Sequence, residues 1–349
     1  MEKILFIYNN PLDGSYGGAQ RTKQALSGLE TLYDVIPYSC IKSNNKFLTI
    51  LRNLFGYSGS LSKKDIKRIL QLIRTQDIKC VFCDVSLFGI LVRKIKNKFE
   101  NVKIVVNYHN CEAKYFGDMF KTKGLLYYPI YRAAVYNEKL SIKYADFHVL
   151  LSEEDRKELE ITTAYCIIPA TLQDIYLDRL DLDKEDEYIL FVGSPQYANI
   201  EGAKYLIDKI APRINKKIVI VGRNMTNYFK VDNKNIKIYD FVDDLQFIYK
   251  NASAFIAPLF YGSGVKIKVA EAFMYGKKVL GTSLAFFGYD LNTANVDICN
   301  NEEQFISAIN KLDMKKKYYE ENRVLFLEKY SYEKNNYYYG QIKLMVGGK

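Results

Sequence analysis

The stretch Pro258–Thr282, PLFYGSGVKIKVAEAFMYGKKVLGT, concentrates residues whose types and spacing suit chemistry on an anion. Gly262, Ser263 and Gly264 make a flexible turn, and the residues after it have helical composition. Lys266 and Lys268 then fall in the first helical turn. The partial positive charge of a helix N-terminus makes each cation there unfavourable by ~0.3–1 kcal/mol. An anion bound at the same turn removes the conflict. Gly262 and Gly264 let the backbone approach it closely, and the unpaired N–H groups of the first turn can donate to phosphate oxygens. Lys266 and Lys268 point about 200° apart on a helix, so only one can face the ligand. Lys266 is the expected one, being nearer the N–H cluster, with Lys268 turned to solvent. Glu271 lies among Val269, Ala270, Ala272 and Phe273, where a carboxylate is costly unless hydrogen-bonded. Two readings stand: it accepts both hydroxyls of a vicinal diol such as a ribose, or it forms a surface i,i+3 pair with Lys268 worth ~0.2–0.5 kcal/mol.

Histidine chemistry has two candidates, His109 and His148. His109 follows the strand-like KIVVNY, which places it at a strand's carboxyl end. His148, inside ADFHVLL, reads as a core residue. YGGAQR puts Gly17 and Gly18 directly after the first apolar strand, with Arg21 one turn into the next helix. Arg21 either meets an anionic acceptor or is solvated. Cys80 and Cys83 have redox-motif spacing, but CVFC is an apolar run, which argues for buried, inert thiols. No second pair completes a zinc site. Asp181 and Asp183 have the spacing of a metal-binding pair but lie in an acidic run, which reads as solvated charge; no essential metal and no cofactor is expected.

The elements that must position these residues alternate. KILFIY, YDVIPY, IKCVFCDV, VKIVVNY and ADFHVLLS are short apolar strands, separated by helical segments such as KKDIKRILQLIR and GILVRKIKNK. This pattern argues for an α/β domain with a parallel sheet. TLQDIYLDRLDLDKEDEY interrupts it and reads as a linker. The alternation restarts with YILFVG, KIVIVG, NIKIYDFV, AFIAPL and KKVLGT. The tail, RVLFLEKYSYEKNNYYYGQIKLM, reads as helix. The expected domains are 1–180, 181–325 and a helical tail 326–349. Both are doubly wound, Rossmann-like sheets facing a central cleft. Ligands of such sheets bind beyond the carboxyl ends of the strands, which is where GSG stands.

With 349 residues, 48% hydrophobic and 26% charged, the chain is globular and long enough for about two domains. Its six Cys fit a reducing compartment, and MEKILFIYNN is too short an apolar run for a signal peptide or membrane span, so a cytoplasmic location is expected. Most of the net charge of +10 falls in residues 1–180. Residues 42–74 are rich in Lys and Arg, with Asp65 as their acid, and residues 114–144 mix Lys and Arg with Tyr. That mixture suits an anionic lipid interface or, alternatively, solvated helix faces. No nucleic-acid recognition module is present.

GSGVKIKVAEAFMYGKKVLGT resembles the carboxy-terminal motif of glycosyltransferase family 4, of GT-B architecture. YGGAQR resembles that family's glycine-rich loop, YHNCE its His-Asn-x-Glu segment, and ILFVGSPQYANIEGAKYL the start of its nucleotide domain; IVGRN and IYDFVDDLQFIYKNASAFIAPLFYGSG follow in order. The likeness is strongest over 188–290. It implies sugar transfer from a nucleotide-sugar donor, UDP- or GDP-linked, to a glycan acceptor, with retention at the anomeric carbon; the basic, tyrosine-rich amino domain suggests a lipid-linked glycan, which fits surface polysaccharide assembly. It implies that Glu271 binds the ribose, that Gly262, Ser263, Gly264, Val265 and Lys266 hold the diphosphate, and that Arg223, Phe241 and Val242 flank the base. Gly193 belongs to the donor loop. Gly18 approaches the donor phosphate or sugar, Gly17 and Arg21 lie on the acceptor side, and His109 contacts the transferred sugar. In this reading His109, Lys266 and Glu271 carry catalysis, at the inner face of the membrane. The family's paired glutamates stand eight positions apart, and here Ser263 takes the place of the first. Alternatives are a non-hydrolysing epimerase, for which His109 with Glu112 is a thin acid–base set, and a non-catalytic nucleotide- or glycan-binding protein of the same fold.

Overall fold

The computed structural model describes residues 1–13, 17–40, 46–57, 60–176, 187–262 and 264–346. They form two compact units, residues 1–170 with 333–349, and residues 171–332.

Unit 1 holds strands β1 (Lys3–Tyr8), β2 (Asp34–Ser39), β3 (Cys80–Cys83), β4 (Lys103–Asn107), β5 (Phe147–Leu150) and β6 (Tyr165–Ile167). They pair in parallel in the order β2-β1-β3-β4-β5-β6. Its helices are α1 (Gly17–Glu30), α2 (Lys46–Leu54), α3 (Lys63–Thr75), α4 (Gly89–Lys98), α5 (Glu112–Lys123), α6 (Tyr128–Tyr144) and α7 (Glu153–Glu158). Successive side chains of β1 enter different cores. Ile4 and Phe6 pack with Ala25 and Leu29 of α1, while Leu5 and Ile7 pack with Ile66 and Ile69 of α3 and Leu91 of α4. A sheet covered on both faces needs strands that are apolar throughout, as KILFIY is.

Unit 2 repeats the plan. Strands β7 (Tyr188–Val192), β8 (Lys217–Val221), β9 (Ile236–Tyr239), β10 (Ala254–Ala257), β11 (Val279–Gly281) and β12 (Val296–Ile298) pair in parallel as β12-β11-β10-β7-β8-β9. Its helices are α8 (Tyr197–Tyr205), α9 (Leu245–Asn251), α10 (Ile267–Met274), α11 (Glu302–Lys311) and α12 (Glu320–Leu325). The last helix of the chain, α13 (Asn335–Val346), belongs to unit 1. Tyr339 of α13 lies against α1 at Gly28, where any Cβ would sit 2.3 Å from the ring.

Two boundaries differ from the sequence expectation. Residues 171–176 are part of unit 2 and not a linker: Leu172 bridges to Ser331, and Asp174 accepts both arms of Arg323 at 2.9 and 2.6 Å. The tail is not one helix. It breaks at Ser331, whose backbone is extended because it pairs with the strand-like passage at Leu172. Asp181 and Asp183 lie outside the described residues.

Candidate active site

In a parallel sheet the loops on either side of a reversal in strand order part from each other and open a crevice at the carboxyl edge. Unit 2 reverses between β7 and β10, and unit 1 between β1 and β3. The chemistry-bearing residues of each unit collect at these points.

In unit 2 the loop after β10 carries the glycine turn. Gly262 has φ +98° and Gly264 φ +72°, conformations that side-chain-bearing residues avoid. Ser263, the third expected donor residue of the turn, lies outside the described residues. Lys266 is the N-cap of α10, with φ −93° and ψ 91°, and Ile267 is its first helical residue. The Lys266 ammonium folds back onto Gly264 O at 2.5 Å. Tyr289 inserts its hydroxyl into the first turn, donating to Lys266 O (2.9 Å) and accepting from Ala270 N–H (3.1 Å). The preceding N–H groups, of Ile267 and Lys268, have no acceptor within the helix.

Lys268 corrects the expectation. It is half-buried and does not turn to solvent: Nζ donates to Asn199 Oδ1 at 2.5 Å and lies over the Phe191 ring at 5.0 Å. Burial lowers its pKa to about 8, against the pull of Glu271. Asn199 also donates to Ser194 O at 2.8 Å, so one amide ties α10 to the loop after β7. Gly193 opens that loop. A Cβ there would lie 2.8 Å from Asn199 Cγ, and one at Gly202 would lie 2.9 Å from Pro258 O. The two crevice loops are thereby held at a fixed spacing.

Glu271 does not form the surface pair with Lys268. Its carboxylate accepts from Tyr249 Oη at 3.2 Å, and burial raises its pKa, opposed by that hydrogen bond and by Lys268. Tyr249 is itself locked by stacking on Tyr275, with centroids 4.8 Å apart and ring planes 9° apart. Val265 is half-buried. Arg223 and Phe241 stand exposed after β8 and β9 on the same carboxyl edge, Phe241 at 77%, with Val242 half-buried beside it. Asp240 joins their two loops by accepting from Thr226 N–H at 2.7 Å.

In unit 1 the reversal is filled by a hydrogen-bonded cluster. Asp84, fully buried just after β3, accepts from the Thr22 hydroxyl of α1 and from Asn107 Nδ2 of β4 at 2.8 Å; His109 Nε2 lies 3.2 Å from it. A carboxylate there favours the tautomer with its proton on Nε2, in which Nδ1 is an acceptor. Arg21 is not solvated: it is 4% exposed and its terminal nitrogens donate to Asn107 Oδ1 (3.1 Å), Gln24 Oε1 (2.9 Å) and Pro169 O (3.3 Å), while its Nε is buried with no hydrogen-bond partner. Gly17 is exposed and Gly18 half-buried at the start of α1. His148 is a core residue: its Nδ1 shares a hydrogen bond of 3.0 Å with Tyr108 Oη, and burial lowers its pKa to about 4. Cys80 and Cys83 are buried, with burial pushing the Cys80 thiol up to about 12.

Sequence reasoning missed Asp84, although an acid directly after an apolar strand was there to be read. It also missed Glu138, which is buried and accepts from the N–H groups of Glu112 (2.7 Å) and Ala113 (3.1 Å), and so caps the helix that follows His109. Among the described residues no group of three or more His, Cys, Asp or Glu side chains is placed to hold a metal ion.

Two parallel sheets, each with a crevice at its reversal, one open around a glycine turn and a helix start, are the parts of a known architecture. Residues 186–313 match the family model of the glycosyl transferases, group 1. The whole chain has the GT-B fold: a glycosyltransferase from Rickettsia africae superposes over 100% of this chain and 99% of its own with a TM-score of 0.67 at 16% identity. HepE from Anabaena, solved in complex with UDP, superposes over 99% and 100% with a TM-score of 0.66 at 11% identity. At these identities the likeness is one of fold. A curated relative, an uncharacterised 44.6 kDa protein in the cps region of Klebsiella pneumoniae, is 26% identical over 272 residues, 70% of this chain and 67% of its own. The group 1 match covers the switch-point crevice of unit 2 entire, from β7 to the residues after α11.

Proposed function

We propose that the chain transfers a sugar from a nucleotide-sugar donor to a glycan or lipid-linked glycan, with retention at the anomeric carbon. The observation that carries this is the crevice of unit 2. Two positive-φ glycines lead into a helix start with unpaired N–H groups, with Lys266 beside it, Lys268 held at the neighbouring loop, and a carboxylate four residues on from its first helical position. A diphosphate would take the N–H groups and the ammonium of Lys266, and Glu271 would accept the ribose hydroxyls while Tyr249 holds its other lone pair. As the sugar–phosphate bond breaks, negative charge grows on the leaving diphosphate, and fixed donors stabilise it without reorganising. The acceptor hydroxyl would enter on the face the diphosphate leaves, giving its proton to the leaving phosphate. His109 would accept a hydroxyl of the transferred sugar through Nδ1, held in place by Asp84. Phe241 and Arg223 would flank the base; the UDP held by HepE favours a uridine donor. The match to a protein of a cps region favours a surface polysaccharide as the product.

The experiment is donor turnover. The protein is incubated with UDP- and GDP-linked hexoses, with and without lipid-linked glycans extracted from a cps-bearing bacterium, and product is followed by mass spectrometry and by the anomeric proton. A new α-linked glycan from an α-linked donor, formed equally well in EDTA, is the expected outcome. Neither transfer nor donor hydrolysis with any donor would leave a binding protein of the same fold.

A further inference from the structure

The outer helical face of unit 1 is inverted. Helix α2 buries Asn53, at 4% exposure, and turns Leu48, Ile50, Leu51 and Leu54 outward, with Phe55 72% exposed just beyond its end. A surface helix of a water-soluble domain does the opposite. The arrangement is fixed, because Asn137 of α6 donates to Gly56 O at 2.7 Å and accepts from Ile90 N–H at 3.0 Å. Beside it, the turn between α5 and α6 projects Leu125 and Leu126 at 82% and 86% exposure. Tyr128, Tyr131, Arg132 and Tyr136 line a groove that continues from Leu54 and Phe55. The charges around this apolar strip are mainly basic: Lys121, Lys123, Arg132 and Lys139 are exposed, and Arg52 is half-buried. Of the acids of the same helices, Glu112 and Glu138 are buried, and Asp118 stands at the strip, 3.9 Å from Lys121.

We infer that this face docks on a bilayer containing anionic lipid. Leu125, Leu126 and Phe55 enter the acyl boundary, the tyrosines lie at headgroup depth, and the Lys and Arg side chains reach lipid phosphates. Charge complementarity decides for lipid: apolar side chains at a protruding turn, ringed by cations, fit a deformable anionic surface. The inference names the surface for the lipid-linked part of the proposed acceptor, and rests on that reading for its purpose.

The test is flotation of the full chain with vesicles of phosphatidylcholine alone and of phosphatidylcholine mixed with phosphatidylglycerol. Wild type is expected to float with the mixed vesicles and to be released by salt. The double variant Leu125→Ser/Leu126→Ser, exposed and hence folded, is expected to lose at least tenfold in partitioning. Lys121→Ser and Lys123→Ser are each expected to lose about fivefold. Wild type that stays in solution with mixed vesicles, or a leucine variant that floats as well as wild type, overturns the inference. So does a wild-type dimer in sedimentation equilibrium that the leucine variant dissolves, which would assign the face to a second copy of the chain. Nucleotide stabilisation measured without vesicles reports on the transferase reading separately.

Discussion

The two units share a plan and use it oppositely. At the strand-order reversal of unit 1, side chains bond to one another: Asp84 gathers Thr22, Asn107 and His109, and Arg21 donates to Asn107, Gln24 and a backbone carbonyl. At the reversal of unit 2, backbone does the work. Glycines replace side chains, the helix start keeps N–H groups without intrahelical acceptors, and Lys266 is satisfied in part by the turn it would leave for a phosphate. A closed polar cluster fixes one imidazole; an open backbone turn receives a charge. The same topology therefore serves for orientation in one unit and for anion binding in the other.

That contrast is broken most forcefully at Asp84. Asp84→Ala leaves three buried partners without their acceptor and should cost about 3 kcal/mol, or roughly 6–12 °C in the melting of unit 1; Lys266→Ala should leave melting within ~0.5 kcal/mol of wild type while weakening nucleotide binding. A reversal of the two results would mean that the roles of the crevices are exchanged. Next in size is Gly193→Ala. Its methyl would strike Asn199 and push it off Lys268, which should cost roughly 1–3 kcal/mol of unit 2 stability, with loss of nucleotide binding as the calorimetric check. Gly262→Ala has open space around it but pays at φ +98°, so about 1–2 kcal/mol is expected from strain alone.

A pH dependence of unit 1 tests the same contrast. Burial raises Glu138 from 4.5 to about 7, against its backbone hydrogen bonds. The native state then holds a proton that the unfolded chain releases, so this group's contribution to stability falls as pH rises from 4.5 to 7. Burial lowers His148 from 6.5 to about 4. Its contribution is lost in the other direction, as pH falls from 6.5 to 4. The slopes oppose each other over most of that span. Glu138→Gln should unmask stability that rises with pH from 4 to 6.5, and His148→Gln stability that falls with pH from 4.5 to 7, each by at most roughly 1.4 kcal/mol per unit. Chemical denaturation at fixed pH values measures both; a flat profile in either variant would contradict the burial argument.

What could be read from the sequence followed locality. KILFIY and YILFVG declare buried parallel strands by composition alone, and the glycine turn declares its φ values. Glu271 was legible as an anomaly because its neighbours on the helix are apolar. The Asp84 cluster was not, because its members come from β3, α1 and β4 and meet only through the sheet. The placing of Lys268 had a local cause: the helix starts at Ile267, so Lys266 stands outside it as the N-cap and Lys268 in its first turn, turned toward Asn199. The break at Ser331 depended on Leu172, far away in the chain. CVFC was legible as a run with buried thiols, while Asp84 immediately after it went unread.

The measurement that reaches the central claim most directly is a thermal-shift panel of UDP, GDP, ADP, CMP and dTDP on wild type and Glu271→Ala. At about 100 times its Kd a nucleotide adds ~2.7 kcal/mol to the unit that holds it, a rise of about 5 °C or more where unit 2 melts first. One nucleoside diphosphate, UDP foremost, should raise the wild-type midpoint and leave Glu271→Ala unmoved. Equal shifts in both proteins, or none with any nucleotide, would contradict a donor site at the glycine turn.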